Sequence, residues 1–265
     1  MNAKMRPVLF VAALAALLML LAVSATASAN HSWNGYHWAR TANPFTLKLG
    51  DNVSGLWDGM LVTASNDWSQ ASVLDTTIVA GGTRAKSCRP TSGRVEVCSA
   101  NYNNTGWLGL AQIWITGGTH ITQGVVKNND YYFGNSSYQY NNTAEMQHVI
   151  CQEIGHTLGL THTSEDGSSQ NTCMDYYHNT SASDTQSTHP NSHDYQELST
   201  IYSHLDSFTT IGAANQMPAA IAKGDFSAPN SWGKLVSQSR DGREATFVRE
   251  FGGGNLLVTH VIYAK

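Results

Sequence analysis

In "PFTLKL" the apolar residues Phe45, Leu47 and Leu49 alternate with polar ones, the two-residue period of a half-buried strand. The period then changes: Trp57, Met60, Leu61, Ala64 and Trp68 recur at helical spacing, with Ser54 placed to cap the helix. Short strand-like runs follow at 76–80 ("TTIVA"), 94–98 ("RVEVC") and 110–116 ("LAQIWIT"), and "HITQGVVKNNDYYF" at 120–133 predicts an edge segment leading to a loop. A second helix is expected from Asn142, with Glu145 three residues on in a capping-box-like start. Its apolar stripe is Met146, Ile150, Ile154 and Leu158, while Gln152 and His156 lie about 160° round the helix from the middle of that stripe. One face packs, and the other offers polar side chains to a cleft. Gly159 can end the helix in a left-handed conformation that turns His162 back towards it. Beyond a polar loop, Asp194 begins a third helical pattern through Leu198, Ile201, Tyr202 and Leu205.

The C-terminal texture differs. "WGKLVSQS", "ATFVREF" and "LLVTHVIYA" are strand-like and are separated by Asp241-Gly242 and Gly252-Gly253-Gly254. They predict a small three-stranded unit over 211–265, either a subdomain of its own or an extra sheet packed on the main one. At the other end, Lys4 and Arg6 precede an apolar run from Val8 to Val23, and Ala27-Ser28-Ala29 supplies small residues for cleavage. That layout marks 1–29 as a secretory signal, since the run is shorter than the about 20 residues that cross a bilayer. The expected organisation is therefore a signal (1–29), an α+β main domain (30–210) and the β unit (211–265). The product is a secreted, extracellular protein without a stable membrane anchor.

Composition narrows the partners. Only 13% of residues are charged and the net charge is −4, which gives no bulk electrostatic attraction for nucleic acid or an anionic membrane. A monomer is expected. Four cysteines, Cys88, Cys98, Cys151 and Cys173, all follow the signal, and an even count in an exported chain reads as two disulfides. Three pairings exist. The sequential one is expected, because Cys88 and Cys98 flank a hairpin-like "CRPTSGRVEVC" and Cys151 and Cys173 would tie the second helix to its following loop.

The chemistry concentrates in "HVICQEIGHTLGLTH", residues 148–162. A hydrolytic zinc site needs neutral imidazoles and a carboxylate that takes a proton from the metal-bound water. Glu153 and His156 provide a base and a ligand on adjacent turns, and His162 a second ligand beyond Gly159. This segment resembles the metzincin zinc endopeptidases, whose pattern is H-E-x-x-H-x-x-G-x-x-H. "CMDYY" places Met174 where that family has its methionine turn, at a gap similar to that of the matrixins. The resemblance spans roughly residues 33 to 206. It implies a twisted mixed sheet with an active-site helix and a closing helix, a cleft parallel to the edge strand, bound Zn2+, a protein or peptide substrate, and Glu153 as general base in peptide-bond hydrolysis.

One position departs from the pattern: Gln152 stands where the family has its first zinc histidine. Its carbonyl oxygen is a poorer zinc donor than imidazole. Tyr176, two residues after Met174, has the spacing of a tyrosine that reaches the zinc in the astacin branch, or else stacks as a cleft wall. The expected ligand set is therefore His156, His162, Gln152 and Tyr176. His178, His189 and His193 are candidates for a replacement ligand. His148, about 12 Å along the helix from His156, is too far to share the ion and is expected at the helix surface or behind the ligands. No cysteine-switch motif precedes the domain. Two functions follow: a secreted zinc metalloendopeptidase with an altered ligand set, or a weak or inactive pseudoprotease serving as a binding module.

Overall fold

Continuous apolar strands need both faces covered, and in the computed structural model they are. The structure describes residues 30–213 and 217–265; the expected signal segment lies outside them. Among the described residues the strands are β1 (His37–Trp38), β2 (Phe45–Asn52), β3 (Leu74–Ala80), β4 (Val95–Ala100), β5 (Trp107–Thr116), β6 (His120–Asn129), β7 (Lys234–Gln238), β8 (Glu244–Gly252) and β9 (Asn255–Tyr263). They form one sheet in the order β3-β2-β4-β6-β5-β9-β8-β7, with β1 added to the start of β6. Strands β1, β2, β3, β4 and β6 run parallel, and β5, β9, β8 and β7 continue antiparallel. The fold is α+β, built on a large mixed sheet.

Two expectations about strands are corrected. The segment at 120–133 is not an edge: β6 lies between β4 and β5 and ends in a short helix, α2 (Asp130–Phe133). Its polar residues Lys127, Asn128 and Asn129 are buried inside the sheet. Lys127 Nζ donates to Ser227 Oγ, Asn128 to the Cys98 carbonyl and Asn129 to the Trp107 carbonyl. The β unit expected at 211–265 has the expected strands but is neither a subdomain nor a second sheet. Leu257, Val258, Val261 and Ile262 of β9 are all fully buried, and β9 meets that demand by pairing along β5 from Trp107 to Ile115.

Helix α1 (Leu56–Trp68) buries Trp57, Met60, Leu61, Ala64 and Trp68, the expected face. Gly55, not Ser54, is its cap position, and no side chain caps it. Helix α3 (Thr143–Thr157) starts as expected at Asn142, whose side chain accepts from the Ala144 and Glu145 amides. Glu145 does not close a capping box; its carboxylate takes His178 Nδ1 and the Asn179 amide, each at 2.7 Å. Helix α4 (Ser192–Ile201) has a capping box between Asn191 and Asp194 and stops before Leu205, which is exposed. A one-turn helix, α5 (Ala219–Ala222), precedes the last strands.

Both disulfides are sequential, Cys88–Cys98 and Cys151–Cys173, as expected, and they suit an oxidising compartment. The first does not close a hairpin: Cys88 follows a turn at residues 85–87 and, among the described residues, β4 pairs with parallel neighbours, β2 and β6. Among the described residues, no helix is long and apolar enough to cross a membrane.

Candidate metal centre

The apolar stripe of α3 packs as expected, with Ile150, Ile154 and Leu158 fully buried. The helix lies close on β5 because Gly109 has no side chain there; a Cβ would come 2.5 Å from Val149 Cγ1. Its last carbonyls are satisfied by Trp38 Nε1 on Thr157 and the Tyr202 hydroxyl on Leu158. Gly159 then turns the chain at φ 97°, and a Cβ there would meet the Tyr36 carbonyl oxygen at 2.1 Å. This turn brings the Leu160 carbonyl to His156 Nδ1 at 2.9 Å. The Nδ1 proton is thereby committed, and Nε2 presents its lone pair. That Nε2 is buried without a hydrogen-bond partner.

His162 follows, its ring 4.6 Å from that of His156. The third imidazole comes from the far end of the chain. His260, midway along β9 and opposite Ala111 of β5, places its ring 4.0 Å from His156 and 4.8 Å from His162. One nitrogen from each of the three rings lies within 4.8 Å of the others, a group that could hold a metal ion. Burial holds all three imidazoles below their usual pKa, His260 down to about 3, so they stay neutral at neutral pH. Neutral imidazole is the form that binds a metal.

Two buried carboxyls complete the surroundings. Glu153 Oε2 is 3.1 Å from His260 Nδ1, and Glu244 Oε2, at the start of β8, is 3.2 Å from both His260 Nε2 and His162 Nε2. Burial raises both carboxyls well above the usual range, and for Glu244 the neighbouring Glu153 adds to the effect. A neutral imidazole has one N–H, so without a cation one of the two carboxyls meets His260 as a protonated acid. A cation among the rings would take over the place of that proton.

The expected site residues divide. His156 and His162 are in the group. Gln152 is buried one turn before His156, its Nε2 donating to the Asp175 carbonyl at 2.8 Å and its Oε1 without a partner. Tyr176 lays its ring edge-on against His162, with the ring centroids 4.2 Å apart. Met174 packs beneath α3, its Sδ 2.4 Å from where a Cβ on Gly155 would be, and Cys151–Cys173 ties that loop to the helix. Of the replacement candidates, His178 binds Glu145, His189 pairs with Asp67, and His193 stacks on His31. His148 is not at the helix surface: it is fully buried and stacks on His178.

Nor is the cleft open. Glu153, His156, Glu244 and His260 are fully buried, and the segment expected to be the edge beside the cleft, β6, lies inside the sheet between β4 and β5, with β9 paired beyond β5. His260 and Glu244 were not singled out from sequence. A signal for the first was present, a histidine in the middle of "LLVTHVIYA", where a polar ring between apolar neighbours needs a partner. Glu244 carries no comparable mark. Compared with family models, curated proteins and solved structures, the chain matches none.

Proposed function

We propose that this chain is an exported zinc-binding protein built on a metallopeptidase-like helix and methionine loop, closed to peptide substrates in the form described. The ligands are His156, His162 and His260. The observation that carries this reading is the convergence of three buried, neutral imidazoles, and on this reading His260 stands in for the donor that Gln152 lacks. Three nitrogen donors suit zinc, and the Nε2 of His156, with no hydrogen-bond partner, offers a lone pair to a cation. Bound zinc would supply Lewis acidity and lower the pKa of a coordinated water.

The chain's own groups favour the binding module over an open endopeptidase. Glu153 directs one oxygen to His260 Nδ1, which orients that ring as a carboxylate behind a metal-bound histidine does. β9 takes the backbone groups of β5 that an extended peptide would otherwise pair with. A second reading rests on Glu153 itself. A carboxyl held above its usual range beside the imidazoles is suited to proton transfer, so a peptidase is the alternative if a peptide reaches the centre while β9 keeps His260 in place. The test is to incubate zinc-loaded protein with a broad peptide library. No turnover is expected. Turnover abolished by Glu153→Gln at unchanged zinc content would establish the peptidase instead, and a wild-type protein that takes up no zinc would overturn both readings.

A further inference from the structure

A second convergence of imidazoles lies at the opposite end of α4 from its cap. β1 pairs in parallel with the start of β6, so His37 and His120 stand side by side, and the chain leaving α4 brings His204 and Asp206 to the same place. Arg40 pins that arrival. Its backbone amide and Nη1 donate to Asp206 Oδ2 at 3.1 and 3.0 Å, and its Nη2 donates to the His204 carbonyl. Asp206 Oδ1 is left to the histidines, with Nε2 of His120 at 3.3 Å, of His37 at 3.6 Å and of His204 at 3.8 Å.

The ring of His37 is fixed for ligation. Its Nδ1 donates to the Gly35 carbonyl at 2.7 Å, which leaves Nε2 as a lone pair, and that Nε2 faces His204 Nε2 at 3.2 Å. A carbonyl behind the non-ligating nitrogen is the usual support of a metal-bound histidine. Zinc bonds of about 2.0 Å in a tetrahedron set neighbouring donors roughly 3.3 Å apart. The three separations among His37, His204 and Asp206 run from 3.2 to 3.8 Å, so closing on an ion needs shifts of a few tenths of an ångström.

We propose that His37, His204 and Asp206 form a second divalent-cation site, for zinc, that clasps β1 to the chain leaving α4. His120 shares the carboxylate oxygen and supports it. The His204 side chain is 51% exposed, which gives the ion an entry path and leaves a coordination position to water. The site stands apart from the His156 centre and does not depend on it.

The experiment uses the full mature chain, stripped with chelator, reloaded with zinc and freed of excess by gel filtration. Zinc per chain is then measured for wild type, His204→Ala, His260→Ala and the double variant. Two ions are expected in wild type, one in each single variant and none in the double. Because His204 is half exposed, its variant should fold, which far-ultraviolet dichroism checks. A His204→Ala content equal to wild type overturns the second site and leaves the first. Loss in His204→Ala with none in His260→Ala supports the second site and removes the first. Zinc should also raise the melting temperature of His260→Ala; no rise there would count against the clasp.

Discussion

His260→Ala tests the assignment of the third ligand most directly. The substitution removes one of three imidazoles and leaves Glu153 and Glu244 facing a small cavity, so the zinc-free protein itself will change in stability. The informative quantity is therefore the zinc-induced shift, read in a His204→Ala background so that only this centre reports. A ligand that binds only the folded state stabilises it by RT ln(1 + [L]/Kd), about 2.7 kcal/mol at a hundredfold excess over Kd. For a chain of this size 1 kcal/mol moves Tm by about 2–4 °C, so zinc at that excess should raise Tm by about 5–11 °C. Losing even an outer partner of a ligand costs roughly 10–100-fold in affinity, and losing a ligand costs at least as much. At the same free zinc, a hundredfold weaker site gives about 0.4 kcal/mol and a shift of about 1–2 °C. Differential scanning fluorimetry with buffered zinc resolves the two cases. A His260→Ala protein that keeps the full shift would refute the assignment. Adding Gln152→His should then restore the shift, because position 152 lies one turn from His156 and its present amide holds only the Asp175 carbonyl.

Three further outcomes follow from the packing. Replacing Cys151 and Cys173 by alanine opens a 22-residue loop and should cost about 3 kcal/mol in urea unfolding, with a smaller zinc-induced shift as the Met174 loop is released. Gly155→Ala should destabilise by about 1–3 kcal/mol despite alanine's better helix propensity, since the new Cβ meets Met174 Sδ at 2.4 Å and the Trp68 ring at 2.7 Å; a neutral or stabilised variant would refute that contact. Burial pulls the Lys127 ammonium down to about 8 from an ordinary 10.5, so between those values the unfolded chain binds more protons and stability rises with pH. Lys127→Met should therefore be the more stable protein at pH 7, by up to about 3 kcal/mol less the lost bond to Ser227, with the gap shrinking towards pH 10.5; a pH-independent gap would sink the argument.

What could be read in advance was what local spacing controls. The buried face of α1, the Asn142 cap, the turn at Gly159 and the return of His162 each depend on residues within a few positions of one another, and each is found. What escaped depends on partners far along the chain. The polar residues of β6 look solvated until the segment around Ser227 covers them, and nothing in the sequence of β9 names β5 as the edge it takes. The third imidazole was hidden for the same reason. A ligand motif reports the geometry of one helix and its turn, so a break at Gln152 reads as a lesion when only nearby histidines are weighed. A strand buried on both faces offers another test, because an imidazole there is costly unless something meets it. By that test His260 demanded a partner from the outset. Glu153, Glu244 and the rings of His156 and His162 are the groups that answer it, and in the proposed site the ring from β9 would serve where the family pattern has a histidine at 152.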